Sequence, residues 1–380
     1  MSQPWPILLL VRELGSGGSE RQLTEIARAI DRKQFQPHVG CMRARGMRLD
    51  ELRQAGVGVL HLPVQSLYGF SAITGAQILR RYVRKHSIRL MHTFDTPTTL
   101  WGVPAAKFAG VPVVLSSQRA YRELTPHLGR RLLRITDRMV NGVVVNCKAL
   151  VRHLIEDERV DARKVSLCYN GIDTGTFHPG AKARKETVKD AELVIGTVCV
   201  LRAEKRLDLL LEAFAKIAAS GQKLVIVGSG PELANLERDR SRLALDSKCH
   251  FEPATSDVAS WLHSIDIFVL PSRSEALSNS LMEAMACGCT VVASDAGGNP
   301  ELVSDRETGL IFPSGNAGAL AKALSELAQN PSLRAELSTR ASSAIDQRFT
   351  VTISAARMAE IYEAHLAGRP QSIANGRPKP

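Results

Sequence analysis

Between Pro271 and Glu301 the sequence reads P-S-R-S-E-A-L-S-N-S-L-M-E-A-M-A-C-G-C-T-V-V-A-S-D-A-G-G-N-P-E, with Glu275 and Glu283 eight residues apart and the pair Gly297-Gly298 behind them. An apolar run, Ile267 to Leu270, ends at Pro271 and predicts a buried parallel strand. The polar loop that follows carries Glu275. A helix opening near Asn279 carries Glu283, with Leu281, Ala284, Met285 and Ala286 as its packing side. Cys289 to Ser294 predicts a second strand, and Gly297 to Pro300 a tight loop into another helix. Carboxylates and free backbone N–H groups thus gather where two strands stop and two helices start, which is where an open α/β sheet binds its ligand. A carboxylate in the first turns of a helix is stabilised by the helix dipole and can accept two ribose hydroxyls, which suits Glu283. Glu275, on the overhanging loop, suits a sugar hydroxyl; plain helix capping is the alternative for either. Gly297 and Gly298 offer amides to a phosphate or a sugar.

Upstream, Arg202, Lys205 and Arg206 directly follow an expected strand, Leu193 to Val200. Cations at a strand end ahead of a helix fit a pyrophosphate, Arg206 least because it steps onto the helix surface. Near the N-terminus, the strand Ile7 to Val11 enters Gly15-Ser-Gly-Gly-Ser-Glu20 and a helix to Ile30. Gly17 and Gly18 there permit close backbone approach, but the spacing is not that of a dinucleotide-binding loop.

These residues need elements to hold them. Short apolar runs at His38–Met42, Val57–Leu62, Ile88–His92, Pro112–Ser116, Gly142–Asn146 and Val165–Tyr169 alternate with helical stretches, including the basic Ala72–His86 and Leu128–Met139. The alternation predicts a doubly wound sheet. Residues 179–191 have no periodic apolar face and read as a linker, after which a second α/β unit repeats the pattern. The expected division is an N-terminal domain over 1–178, a linker over 179–191 and a C-terminal domain over 192–348. A helix over 349–366 packs back on the first domain in this reading, and 367–380 form a disordered tail.

The chain has 380 residues, enough for two cores. No apolar run predicts a membrane span, and Pro4 to Val11 reads as a strand and not as a signal peptide. Seven spread cysteines without metal-ligand spacing read as buried free thiols. The net charge of +11 is lopsided: residues 1–180 hold 26 Lys and Arg against 14 Asp and Glu, and the remainder 23 against 24. So basic a first half suits anionic headgroups or a phosphorylated acceptor, the alternative being a solvated face held away from neutrality. Nucleic acid is disfavoured, since no aromatic interleaving or reader motif accompanies the charge.

With these residues in view, Glu275-x7-Glu283 within S-E-A-L-S-N-S-L-M-E-A-M-A-C-G resembles the signature of the retaining glycosyltransferases of group 1, family 4. The Gly15–Glu20 loop, Leu201-Arg-Ala-Glu-Lys205, Asn170-Gly-Ile-Asp173 and Gly297-Gly-Asn-Pro-Glu301 match that family in the same order. The resemblance implies GT-B architecture, two Rossmann-like domains facing across a cleft. It implies a nucleoside diphosphate sugar, UDP- or GDP-linked, as donor, with no cofactor and no metal. Arg202 and Lys205 would bind the diphosphate, Glu283 the ribose and Glu275 the transferred sugar, with Ala276, Leu277, Ser278 and Asn279 lining the donor. Gly17 and Gly18 would approach the phosphates from the other domain. Catalysis would involve Glu275, with His92 and Asp95 on the acceptor side, where Arg119 and Arg43 would meet a glycan or lipid-linked acceptor. Three positions depart from the pattern: Cys199-Val200 replace a Gly-Arg, Ala276 a Gly, and Phe94 the second histidine of a His-x-His.

The expected protein is cytoplasmic, peripheral at the inner face of the membrane, and of open oligomeric state. Two rivals are a nucleotide-sugar 2-epimerase of the same architecture and a non-catalytic scaffold that binds sugar nucleotides.

Overall fold

The computed structural model describes residues 3–15, 17–181 and 183–368. The chain forms two compact units. Among the described residues, one comprises those up to 171 together with 351–368, the other those from 172 to 350.

The first unit runs β1 (Trp5–Glu13), α1 (Gly18–Ala29), β2 (Phe35–Arg43), α2 (Arg48–Gln54), β3 (Gly58–His61), α3 (Phe70–Lys85), β4 (Leu90–Thr93), α4 (Thr96–Ala109), β5 (Val113–Gln118), α5 (His127–Met139), β6 (Gly142–Val145), α6 (Lys148–Arg152) and β7 (Val165–Leu167). Its seven strands are all parallel in the order β3-β2-β1-β4-β5-β6-β7. The second unit runs β8 (Leu193–Val198), α7 (Leu207–Ala215), β9 (Gln222–Val227), α8 (Leu233–Arg242), β10 (Cys249–Glu252), α9 (Val258–Ser264), β11 (Ile267–Leu270), α10 (Asn279–Ala286), β12 (Thr290–Ser294), α11 (Asn299–Leu302), β13 (Leu310–Phe312), α12 (Ala317–Gln329) and α13 (Pro331–Arg348). Its six parallel strands are ordered β10-β9-β8-β11-β12-β13. Both are doubly wound sheets, as the alternation predicted. The strand order reverses direction between β1 and β4 in one and between β8 and β11 in the other, and loops diverge there to leave a crevice.

Continuous apolar strands explain the parallel pairing, since helices cover both faces. All four residues of β11 are buried, and Ile195, Phe214, Ile226, Val269 and Leu324 share one core. In the first unit, Ile7, Leu9, Leu23, Phe35 and Leu90 form the other. The last helix, α14 (Val351–Leu366), packs against α1 and buries Met358, Ile361 and Tyr362 in that same core.

Boundaries differ from expectation where side chains intervene. α4 starts at Thr96 and not at Leu100, because Asp95 caps it and Pro97 suits a first turn. Residues 179–191, read as a linker, pack on the second unit: Val188 is fully buried, and Arg184 reaches the Ser264 carbonyl at 2.5 Å and Asp266 at 2.6 Å. Of the tail read as disordered, residues from 369 onward lie outside the described residues. All seven cysteines are free thiols. Among the described residues no helix is long and apolar enough to cross a membrane.

Candidate functional site

In the second unit the loop after β8 is braced by the loop after β9. Gly228 has φ +152°, and a Cβ on it would lie 1.9 Å from the Cys199 carbonyl oxygen; one on Gly230 would lie 2.3 Å from that of Leu201. Only glycine allows this approach. The Leu201 N–H donates to the Ser229 carbonyl at 3.1 Å, and the Glu232 N–H to the Leu201 carbonyl at 3.1 Å. The braced loop carries a 3-10 turn, Ala203–Lys205, and enters α7 through Arg206 in the left-handed region, φ 52°. The Arg206 guanidinium is taken by Asp208 at 3.1 Å.

Lys205 extends to Glu275, and its ammonium donates to Oε1 of that carboxylate. Ser272 Oγ donates to the same oxygen at 3.0 Å, and the Arg273 N–H to the Glu204 carbonyl at 2.9 Å, so the loops after β8 and β11 are tied together. Burial works most strongly against charge on Lys205, but Glu275 beside it, together with Cys199 and Glu204, holds the ammonium above its ordinary value. Burial pushes the neighbouring Cys199 thiol up to about 11 despite Lys205. Arg202 is largely exposed, 3.8 Å from Glu204.

The loop after β11 ends at Ser278, whose hydroxyl accepts the Leu281 N–H at 3.3 Å and caps α10. Glu283 follows on that helix and is 4% exposed. The Gly298 N–H donates to the Ala276 carbonyl at 2.8 Å, and Gly297 makes the turn with φ +57°. Behind them runs a buried polar chain. Ser294 Oγ donates to the Ser272 carbonyl at 2.5 Å, and Asn299 Nδ2 to the Ser294 carbonyl at 3.1 Å. Glu275 is thereby connected to the start of α11.

In the first unit, Gly17 and Gly18 open α1 beside Glu20, whose carboxylate lies 2.2 Å from where a Gly17 Cβ would be. Burial raises the Glu20 carboxyl above its usual range, Asp95 and Glu13 adding to it. Gln22 on α1 exchanges two hydrogen bonds with Gly171, at 2.8 and 2.9 Å. Arg119, at the end of β5, donates to Asn170 Oδ1 at 2.7 Å and lies over the Phe94 ring at 5.0 Å. Desolvation lowers its guanidinium to about 10, and its buried Nε has no hydrogen-bond partner among the described residues. Arg43 is exposed and 3.9 Å from Glu13.

His92 and Asp95, expected in catalysis, are both engaged in hydrogen bonds within the first unit. His92 is fully buried, with Nδ1 at 2.7 Å from the Tyr362 hydroxyl and Nε2 at 2.9 Å from Ser117 Oγ. Burial first, then Arg119 and His365, keep its pKa well below the usual histidine value, so the ring is neutral. Asp95 accepts the Thr98 N–H at 2.9 Å and hydroxyl at 2.8 Å, and with its other oxygen the Arg12 N–H at 2.7 Å. That carboxylate caps α4 and ties it to β1.

Two family models match this chain: glycosyl transferases group 1 over residues 181–344 and glycosyltransferase family 4 over residues 16–176. The chain belongs to the group 1, family 4 glycosyltransferases. A curated relative, D-inositol 3-phosphate glycosyltransferase of Streptomyces scabiei, is 29% identical over 292 residues, covering 70% of this chain and 64% of that protein's length. A Vi polysaccharide biosynthesis protein of Salmonella typhi is 25% identical over 365 residues, covering 80% of this chain and 62% of that one. Among solved structures, the Anabaena protein HepE in complex with UDP and glucose superposes with a TM-score of 0.83 at 21% identity, over 94% of this chain and 99% of that one. That likeness bears on the fold, which is GT-B.

In this group 1 glycosyltransferase, the second unit brings Lys205 and Glu275 together and joins Ala276 to Gly298, while Arg202 stays apart. Ala276 stands where many members carry Gly, yet it has no positive φ. Phe94 is buried against His92, ring centroids 4.4 Å apart. Sequence reasoning passed over Ser272, Ser294 and Asn299, although all lie in the Pro271–Glu301 stretch. It could not have found Tyr362, 270 positions from its partner His92. Among the described residues no three His, Cys, Asp or Glu side chains converge as metal ligands do.

Proposed function

We propose that the chain is a retaining glycosyltransferase that moves a sugar from a nucleoside diphosphate sugar, UDP- or GDP-linked, to a hydroxyl acceptor. What carries this reading is the meeting of Lys205 with Glu275 at the strand ends of the β8/β11 switch point, with Glu283 buried on the adjoining helix. A diphosphate arriving there competes with Glu275 for the Lys205 ammonium. The carboxylate it displaces turns to a hydroxyl of the transferred sugar, and Glu283 takes the ribose. Gly297, Gly298 and the amides at the start of α11 face the donor, with Arg202 as a second cation for the diphosphate.

The acceptor oxygen then bonds to the anomeric carbon on the face from which the diphosphate departs. The glycosidic C–O electron pair stays with the diphosphate, and the acceptor proton passes to that oxygen. Lys205 and Arg202 neutralise the growing charge without a metal. Arg119 and Asn170 belong to the acceptor side in this reading, and Arg43 lies toward its rim. A glycan or lipid-linked anionic acceptor is supported by the basic first half and by the relatives' names, one an inositol-phosphate glycosyltransferase and one a polysaccharide biosynthesis protein. The reaction would then take place at the inner face of the cytoplasmic membrane.

The test is titration calorimetry with UDP, GDP, ADP and their sugar conjugates on wild type and Lys205→Ala, each checked for folding by circular dichroism. One nucleotide should bind wild type and bind the variant about thirtyfold more weakly, about 2 kcal/mol, as expected for one charge-assisted contact. Product anomers read by NMR, with and without a chelator, decide retention and metal use. A folded protein that binds none of these nucleotides would end the donor reading. A 2-epimer as sole product would replace it by the epimerase, and donor binding without product by the scaffold.

A further inference from the structure

On one face of the first unit α3, α4 and α5 lie side by side, with α4 between the other two. These three helices contain a single acidic residue, Asp137. It is buried and takes two hydrogen bonds from the buried Arg122, at 2.7 and 2.8 Å. The exposed side of the layer is therefore without a carboxylate. It carries large apolar side chains instead: Phe70 is 89% exposed, Ile73 59%, Phe108 61%, Leu128 64% and Ile135 51%. Arg81, Arg84 and Lys85 are exposed on α3, and Arg131 and Arg138 on α5. On α5, Leu128, Arg131, Ile135 and Arg138 follow at spacings of three and four, which makes one stripe of alternating apolar and basic groups.

A face kept wet for solubility would mix both signs of charge and bury its phenylalanines. Phe70 and Phe108 alone among these apolar groups could stack on a base, and Ile73, Leu128 and Ile135 give a nucleic acid nothing to stack on. A bilayer surface takes both kinds of residue: the acyl boundary receives Phe, Leu and Ile, and anionic headgroups receive Arg and Lys. We propose that this face docks on an anionic lipid bilayer, with α3 and α5 as the contacting helices. Helices of a parallel sheet begin at the carboxyl ends of the strands they follow. Phe70 and Leu128 therefore lie at the ligand edge of the sheet, the edge where Arg119 stands. Docking would bring that edge to acceptors carried in the membrane.

The experiment is flotation of the full chain with vesicles of phosphatidylcholine alone and of an equimolar mixture with phosphatidylglycerol, across a salt series. Binding is expected on the anionic vesicles only and should weaken as salt rises. Arg131→Gln with Arg138→Gln should lower partition about fivefold per charge. Leu128→Ser with Ile135→Ser should lower it at every salt concentration while leaving the salt slope unchanged. All four positions are exposed, so unchanged melting temperatures certify the variants. Equal binding to both vesicles, no binding at the lowest salt, wild-type partition by either double variant, or binding of RNA in place of vesicles would overturn the proposal. Partition is read without donor or acceptor, so its outcome is separate from that of the transfer assay.

Discussion

Lys205 and Glu275 neutralise each other across two loops, and the proposed donor competes for both partners at once. A diphosphate gains the ammonium only by releasing the carboxylate, which is then available to a sugar hydroxyl. Glu275→Gln separates these roles. The amide still accepts from Lys205 but holds it without charge, so a bare nucleoside diphosphate should bind as tightly as to wild type, or a few-fold more tightly. Sugar transfer should fall by about a hundredfold or more, the cost of losing a group aimed at the reacting sugar. Calorimetry and single-turnover kinetics on the same preparation check this; weaker nucleotide binding with unchanged transfer would refute it.

At the scale of elements, position comes from loops that lean on one another. Lys205 hangs from a turn whose backbone is pressed against Gly228 and Gly230. Gly228→Ala adds a Cβ where a carbonyl oxygen stands, in a φ region that L side chains rarely adopt. We expect it to destabilise the protein by about 3 kcal/mol, in the range of severe single substitutions. Donor affinity should fall as well, although Gly228 touches no donor in the proposed site. Denaturant unfolding and titration of the nucleotide test this together; wild-type stability would mean that the two loops are not braced as described. In the first unit Asp95 does the corresponding work for α4, and in the second the Ser272–Ser294–Asn299 chain does it for Glu275.

At the scale of the whole molecule, several histidines are held neutral by burial. His38 is lowered to about 4 by desolvation and by His86, while Nδ1 bonds the Tyr82 hydroxyl at 2.8 Å; His92 is held well below the ordinary value. A folded pKa below the unfolded one means that the unfolded chain binds the extra proton. Stability should therefore be level above about pH 6.5 and decline as pH falls toward about 4, His38 alone accounting for at most about 3 kcal/mol. Glu158 belongs to a lower window. Burial opposes its charge, but Arg134, Arg130 and Arg122 outweigh burial and depress its carboxyl, so its contribution is present above about pH 4.3 and is lost below that. Melting temperatures from neutral to acid pH, for wild type and His38→Asn, should show the decline and its partial removal. A flat profile down to about pH 4.5 would contradict it.

The sequence by itself determined both sheets, because parallel strands buried on two faces must be short continuous apolar runs, and Ile7–Val11 or Ile267–Leu270 can be little else. It also placed Glu275, Glu283, Gly297 and Gly298, the proposed donor side, near one another, since they lie within one stretch whose elements alternate over a few residues, so spacing translates directly into place. Tertiary structure decided the rest. His92 and Asp95 looked alike as polar groups at a strand end, yet one is closed in by Ser117 and by Tyr362 of the last helix, and the other is spent on the N–H groups of Thr98 and Arg12. Hydrogen bonds between distant segments leave no periodicity to read. The carboxylate-free face over α3, α4 and α5 needed the fold for the same reason: only packing tells which side of an amphipathic helix stays in the open.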